Sequence, residues 1–353
     1  MMIPFKPYGY SKEEMASAVE AMSHPYFFSG LKRRELEDFF CQKTGRRYAL
    51  AVKEFITPLL EVLDYIGIGK GSKVVLSPLS YFKHFSPYLR IAGYEPTYAD
   101  VERWFLNLDV KRMPQVLTED MKVLIVNNSL GIPVDWDAIM KLIKDIILIE
   151  DSRETIFTEY KGKSVGSFGY ISLLGFSDSS IITGHGGIIL TDDQLLYHRL
   201  RESVELMDDI TSALILSQTK HLDEKLKIRS ELAGLYSQLL INIEGLKPQF
   251  HPKYVSKMCW SYFCIHLGKR YADNARELIR ELLADDGVEI REYPISQDVR
   301  EGRKISYLHI AHEVGTRALL LPIHEDITDE DVYFVCERLK EHVVQVGAGS
   351  IDH

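Results

Sequence analysis

The residues best equipped for chemistry lie between Ile146 and Leu190. An apolar run over 146–149 breaks off in Glu150-Asp151, the pattern of a buried parallel strand with a carboxylate at its C-terminal tip. Open α/β sheets place their ligands at such tips. A second apolar strand is expected over 170–176, followed by Ser177, Asp178, Ser179 and Ser180 in a polar loop that ends in Gly184-His185-Gly186-Gly187. A loop between two buried strands and opposite a strand-tip Asp suits a nucleophile; this one offers only Ser177, Asp178, Ser179 and Ser180. Cys41, Cys259, Cys264 and Cys336 show no paired metal-ligand spacing and read as reduced core residues.

The elements that must position these groups alternate along the chain. A Ser-capped helix is expected from Ser11 to Met22 and a second over 32–44. Then come a strand over 48–52, a helix over 58–66, a strand over 74–77, a helix over 80–92, a strand over 96–98, a helical piece over 113–119, a strand over 123–127 and a helix over 135–143. Strands alternating with helices predict a mostly parallel sheet covered on both faces. A long amphipathic helix follows over 221–239. Beyond the Gly245-Leu246-Lys247-Pro248 turn a smaller α+β region is expected, with strands over 260–267, 288–291 and 318–321 and helices over 272–283 and 329–342. The implied division is 1–242 and 243–353.

Composition narrows the function classes. The chain has 353 residues, 46% hydrophobic and 26% charged, and a net charge of −9, which argues against nucleic acid or an anionic membrane as its main partner. No run reaches the ~18 apolar residues of a membrane span, and the N-terminus lacks a signal-peptide pattern, so the expected location is cytoplasmic.

The order of pieces resembles the DegT/DnrJ/EryC1/StrS sugar aminotransferases, pyridoxal-phosphate enzymes that aminate nucleotide-linked keto-sugars. The resemblance spans nearly the whole chain. It rests on Ser29-Gly30 with residues 35–40, Gly67-Ile68-Gly69-Lys70-Gly71, Ala92-Gly93-Tyr94-Glu95-Pro96 with Asp100-Val101, and Glu150-Asp151. It continues through Tyr160 to Lys163, Val165-Gly166-Ser167-Phe168-Gly169, Gly186-Gly187, Ser212-Ala213, Gln218, Leu222-Asp223 and Leu321-Pro322-Ile323-His324. It implies the type I aminotransferase fold, a large domain with a mostly parallel sheet and a smaller C-terminal domain, and a homodimer with active sites at the shared interface.

The resemblance also shows what has changed. The family's Schiff-base lysine, which carries the cofactor and shuttles protons, falls here on Ser179 or Ser180. The Gly-Thr that seats the cofactor phosphate at a helix N-terminus corresponds to Phe55-Ile56, preceded by Glu54. The phosphate-binding Ser corresponds to Gly175, and the partner-donated Asn-x-Arg to Val204 and Leu206. Asp151 matches the carboxylate that pairs with the pyridinium nitrogen, Phe82 the ring-stacking aromatic, and Glu154 the Gln that contacts the ring hydroxyl. The leading expectation is a non-catalytic member whose cofactor binding is lost or weak. It would bind a nucleotide-sugar, or pair with itself or an active paralogue, in polysaccharide biosynthesis. Two alternatives stand beside it: an active aminotransferase or a lysine-free dehydratase using His185 or a serine, and a different ligand in a pocket made acidic by Glu54, Asp151, Glu154 and Asp178. His324 lies at a family position near the site, though a structural role suits it better. Lys53 and Lys83 are the nearest candidates for a displaced amine.

Overall fold

The computed structural model describes residues 2–7, 9–25, 29–80, 84–118, 120–143, 145–178, 180–272, 274–296 and 308–349. Seven strands make the main sheet: β1 (Tyr48–Val52), β2 (Lys73–Leu76), β3 (Glu95–Tyr98), β4 (Val123–Asn127), β5 (Ile147–Asp151), β8 (Ile171–Gly175) and β9 (Gly187–Thr191). Their order is β1-β9-β8-β5-β4-β2-β3. The pairings from β3 across to β8 are parallel, and β9 runs antiparallel to both β8 and β1. Strands β4 and β8 are buried along their whole length, which is why β4 reads as an apolar run over 123–126 rather than an alternation. Between β5 and β8 the chain makes the short hairpin β6 (Glu159–Tyr160) and β7 (Lys163–Ser164).

Helix starts follow their caps. Helix α1 (Lys12–Ser23) opens with a reciprocal capping box between Ser11 and Glu14. Helix α2 (Leu31–Thr44) lies against β1, and α3 (Ile56–Tyr65) follows β1 directly. The helix expected over 80–92 is confined, among the described residues, to α4 (Ser86–Ile91). Pro87 stands in its first turn, where the missing N–H costs nothing, and marks a start rather than an interior. The piece expected over 113–119 is only a 3-10 turn, Met113–Gln115, again with a Pro in its first turn. Helices α5 (Trp136–Leu142), α6 (Gln194–Ser203) and α7 (Asp209–Thr219) each begin at an Asp whose side chain accepts a first-turn N–H.

The long helix α8 (Leu222–Leu240) leads into a four-stranded antiparallel sheet. Its strands are β10 (Leu246–Pro248), β12 (Phe263–Leu267), β13 (Arg291–Glu292) and β14 (Ala318–Leu321), in the order β10-β12-β14-β13. Helix α9 (Ala275–Asp285) and the closing helix Asp329–Gly349 pack together beside it. The strand expected over 288–291 is shorter and later, because Val288 bridges Ile3 instead. The N-terminal arm therefore crosses the 242/243 line: Ile3 donates to Gly287 O (2.8 Å) and accepts from Glu289 N (2.9 Å). The remaining short strand, β11 (Val255–Lys257), pairs with β6 and ties the hairpin to the second half of the chain. One apolar cluster runs from the main sheet through Tyr262, Tyr293 and Leu320, so both halves share a core.

Candidate functional site

Successive residues of a strand face opposite sides, so the tip of β5 sends Glu150 and Asp151 into different surroundings. Glu150 is fully buried. One of its oxygens accepts from Gly166 N (2.7 Å) and Ser152 Oγ (2.8 Å), the other from Ser172 Oγ (2.7 Å) and Phe168 N (2.9 Å). This carboxylate binds the 165–169 segment to the sheet, which gives that conspicuous motif a structural reason. Asp151 meets a cation from its own strand end. Arg153 Nε and a terminal guanidinium nitrogen donate to its two oxygens, each at 2.7 Å, with both side chains about 95% buried (4% and 5% exposed). The guanidinium plane lies 4.2 Å from the Phe85 ring centre and 5.7 Å from that of Phe55. A planar cation thus sits on the carboxylate and beside two aromatic rings, an arrangement in which paired charge and ring face reinforce one another.

The N-terminus of α3 is closed in a similar way. Its positive end and free N–H groups attract an anion, and Glu54 supplies one from inside the chain: Ile56 N and Thr57 N donate to its carboxylate at 2.5 and 3.0 Å. Phe55 is buried against the Gly186-Gly187 turn. A Cβ on Gly187 would run into Leu174 O and the Phe55 ring, and Gly186 has φ +76° with Val52 O beside it. This glycine pair is required by the close passage of β9 between β1 and β8.

Ser180 is buried, and its hydroxyl is spent on the backbone of Ile182, while its carbonyl accepts from Arg229. Glu154 is equally buried and accepts from Tyr293 OH (2.7 Å) and Leu130 N (3.1 Å). Phe82, Ser179 and Lys83 lie outside the described residues. An open cleft of about 760 Å³ remains above the Asp151–Arg153 pair, walled by Phe55, Phe85 and Phe176, with Ser177 and the exposed His185 at its margin. Its charged lining is Lys6, Lys53 and Arg153 against Glu54 and Asp178. The acidic pocket expected from the sequence is therefore corrected. Asp151 is neutralised by Arg153, Glu154 does not line the cleft, Glu54 caps a helix, and Asp178 pairs with Lys6 at 3.2 Å.

A family model for the DegT/DnrJ/EryC1/StrS aminotransferases matches residues 10–206 and 203–340. The chain belongs to that family. It is 26% identical over 96% of its length to the spore coat polysaccharide biosynthesis protein SpsC of Bacillus subtilis, covering 97% of that protein. It is 28% identical over 87% of its length to the GDP-perosamine synthase of Escherichia coli O157:H7, covering 89% of that protein. The Streptococcus pneumoniae protein Spr1654, solved in its pyridoxamine-phosphate form, superposes with a TM-score of 0.90 at 18% identity over 98% of both chains. PseC from Helicobacter pylori gives 0.88 at 19% identity over 98% of this chain and 100% of that one. The fold is the type I aminotransferase fold, as the sequence resemblance implied.

Within this family member the decisive residue is one that motif comparison passes over. Arg153 stands two residues beyond the strand-tip carboxylate, an Asp-x-Arg spacing that lets a long side chain fold back on its own Asp. Phe85 and Tyr293 are likewise apparent only from contact. His324 is structural: it is buried, with Nε2 against Pro4 O (3.0 Å) and Nδ1 accepting from Asp326 N (3.3 Å). The four cysteines are free, three of them buried. Among the described residues no cluster of His, Cys, Asp or Glu could hold a metal, and no helix is long and apolar enough to cross a membrane.

Proposed function

We propose that this chain is a non-catalytic member of the aminotransferase family that works by binding, in nucleotide-sugar and polysaccharide biosynthesis. The observation that carries this reading is the buried Asp151–Arg153 pair. A pyridinium nitrogen needs the Asp151 oxygens that the guanidinium already holds. The residues present do not fit pyridoxal phosphate at two further points. Its phosphate would meet the Glu54 carboxylate at the N-terminus of α3, a like-charge encounter. Its aldehyde would find Ser180, or Ser179, where an imine needs an amine. The Asp151–Arg153 pair and the Glu54 carboxylate weigh equally against a lysine-free dehydratase built on His185, because that chemistry keeps the cofactor's ring and its phosphate seat. What the cleft still offers is an aromatic-walled space of balanced charge for a nucleotide-linked sugar, and the shared fold offers a surface for a second copy or an active paralogue. The large domain, 1–242, would carry that cleft and 243–353 its flank.

The test is titration of the purified chain with pyridoxal phosphate, followed by gel filtration, absorbance and mass spectrometry after borohydride treatment. We expect no retained cofactor absorbance and no covalent adduct within the 175–187 loop. A tight one-to-one complex would overturn the reading.

A further inference from the structure

We propose that a second pocket, between the loop after β3 and the β10–β12 edge of the small sheet, binds a small ring compound carrying a phosphate. This pocket shares no lining residue with the cleft at Asp151. Its volume is about 230 Å³, below the roughly 300–1,000 Å³ of drug-sized ligand sites, which suits one ring and one phosphate rather than an extended molecule. Trp104 and His266 give it aromatic surfaces, their rings edge to face at 6.4 Å. Around them stand four cations, Arg103, Lys247, Lys269 and Arg317, against one carboxylate, Glu313. In a chain of net charge −9 such a local excess of positive charge is the reverse of the average surface, and a concave site concentrates its effect.

Two of the cations are held in place before any ligand arrives. Arg317 donates to Gly268 O (2.9 Å) and Tyr271 O (3.1 Å), and Arg103 forks onto both oxygens of Glu313. Glu313 is thereby largely balanced, with Lys269 a further 3.6 Å away. The other two are adaptable. Lys247 and Lys269 are exposed, and the Lys247 ammonium rests 5.0 Å from the Trp104 ring centre. A ring entering over the indole displaces that ammonium towards the phosphate, exchanging a modest exposed cation–π contact for a charge-assisted hydrogen bond. His266 adds no competing charge change near neutral pH, because burial lowers its value to about 4 and keeps the imidazole neutral.

The experiment is calorimetric titration of the full chain with uridine 5′-monophosphate, glucose 1-phosphate and inorganic phosphate. At least one phosphorylated ring should bind saturably and more tightly than inorganic phosphate, and the nucleotide and sugar arms identify which ring is preferred. Lys247→Ala with Lys269→Ala should raise its Kd at least about tenfold, the equivalent of one lost charged contact. Their exposure should leave the melting temperature of the free protein unchanged. Trp104→Ala should weaken the phosphorylated ring more than it weakens inorganic phosphate. Lys6→Ala with Lys53→Ala, in the cleft proposed for the nucleotide-linked sugar, should leave the binding component that depends on Lys247 and Lys269 unchanged. Three results overturn the proposal: no saturable binding by either ring compound, equal affinity for inorganic phosphate, or a loss of binding caused by the Lys6 and Lys53 changes instead. A retained pyridoxal phosphate would sink the reading of the Asp151 cleft and leave this pocket untouched.

Discussion

Removing Arg153 alone should be far more damaging than removing Arg153 and Asp151 together. Arg153→Met preserves most of the side-chain length and its packing beside Phe55 and Phe85, but it strands the Asp151 carboxylate in a site only 3% exposed. Breaking a buried pair by deleting one partner costs about 3–5 kcal/mol, whereas replacing both partners by apolar groups is often close to neutral. At ~2.1 cal/mol/K of unfolding entropy per residue, 353 residues give ~0.7 kcal/mol/K, so the single change should lower the melting temperature by about 4–7 °C. Asp151→Leu combined with Arg153→Met should recover most of that loss, with a coupling energy of roughly 2 kcal/mol or more between the two positions. Calorimetry on the wild type, both single variants and the double variant measures this cycle. An Arg153→Met loss below about 1 kcal/mol, or a double variant as unstable as the sum of the singles, would refute the claim that the guanidinium compensates the inherited carboxylate.

Other outcomes follow from the same contacts. Glu54→Ala should cost about 1 kcal/mol as the α3 cap is lost. It should also make stability respond to added sulfate more than the wild type does, since Ile56 N and Thr57 N become available to an outside anion; identical sulfate responses would contradict the capping role. Burial would by itself raise the Glu325 carboxyl, yet Arg229 and Lys225 beside it hold it down at about 2. Its folded value lies below the unfolded one near ~4.3, so its stabilisation is complete above that pH and is lost as pH falls towards about 2. Glu325→Gln should flatten this acid limb by a few kcal/mol, on the order of 2–3, and an unchanged limb in urea melts would count against the Glu325–Arg229 pairing.

The sequence alone was enough for the sheet and for the family. Strands β1 and β4 and the strand at 318–321 fall where apolar runs and their polar ends place them, because burial on both faces leaves no other composition open. Which residues stand at the expected lysine and phosphate-seat positions was also legible, since each is a question of residue type at a place that the resemblance supplies. The tertiary structure decided what the replacements do. Glu54 read from sequence as one carboxylate of an acidic pocket; in the fold it is the anion that the helix end already holds. Glu150, adjacent to Asp151, proved to be the clamp for the 165–169 segment. Above all, four carboxylates counted along the chain suggested an acidic pocket, and Arg153 never entered that count. Charge in a site depends on which side chains fold back onto one another, and a two-residue separation does not say that an arginine will turn to lie on its own strand-tip aspartate.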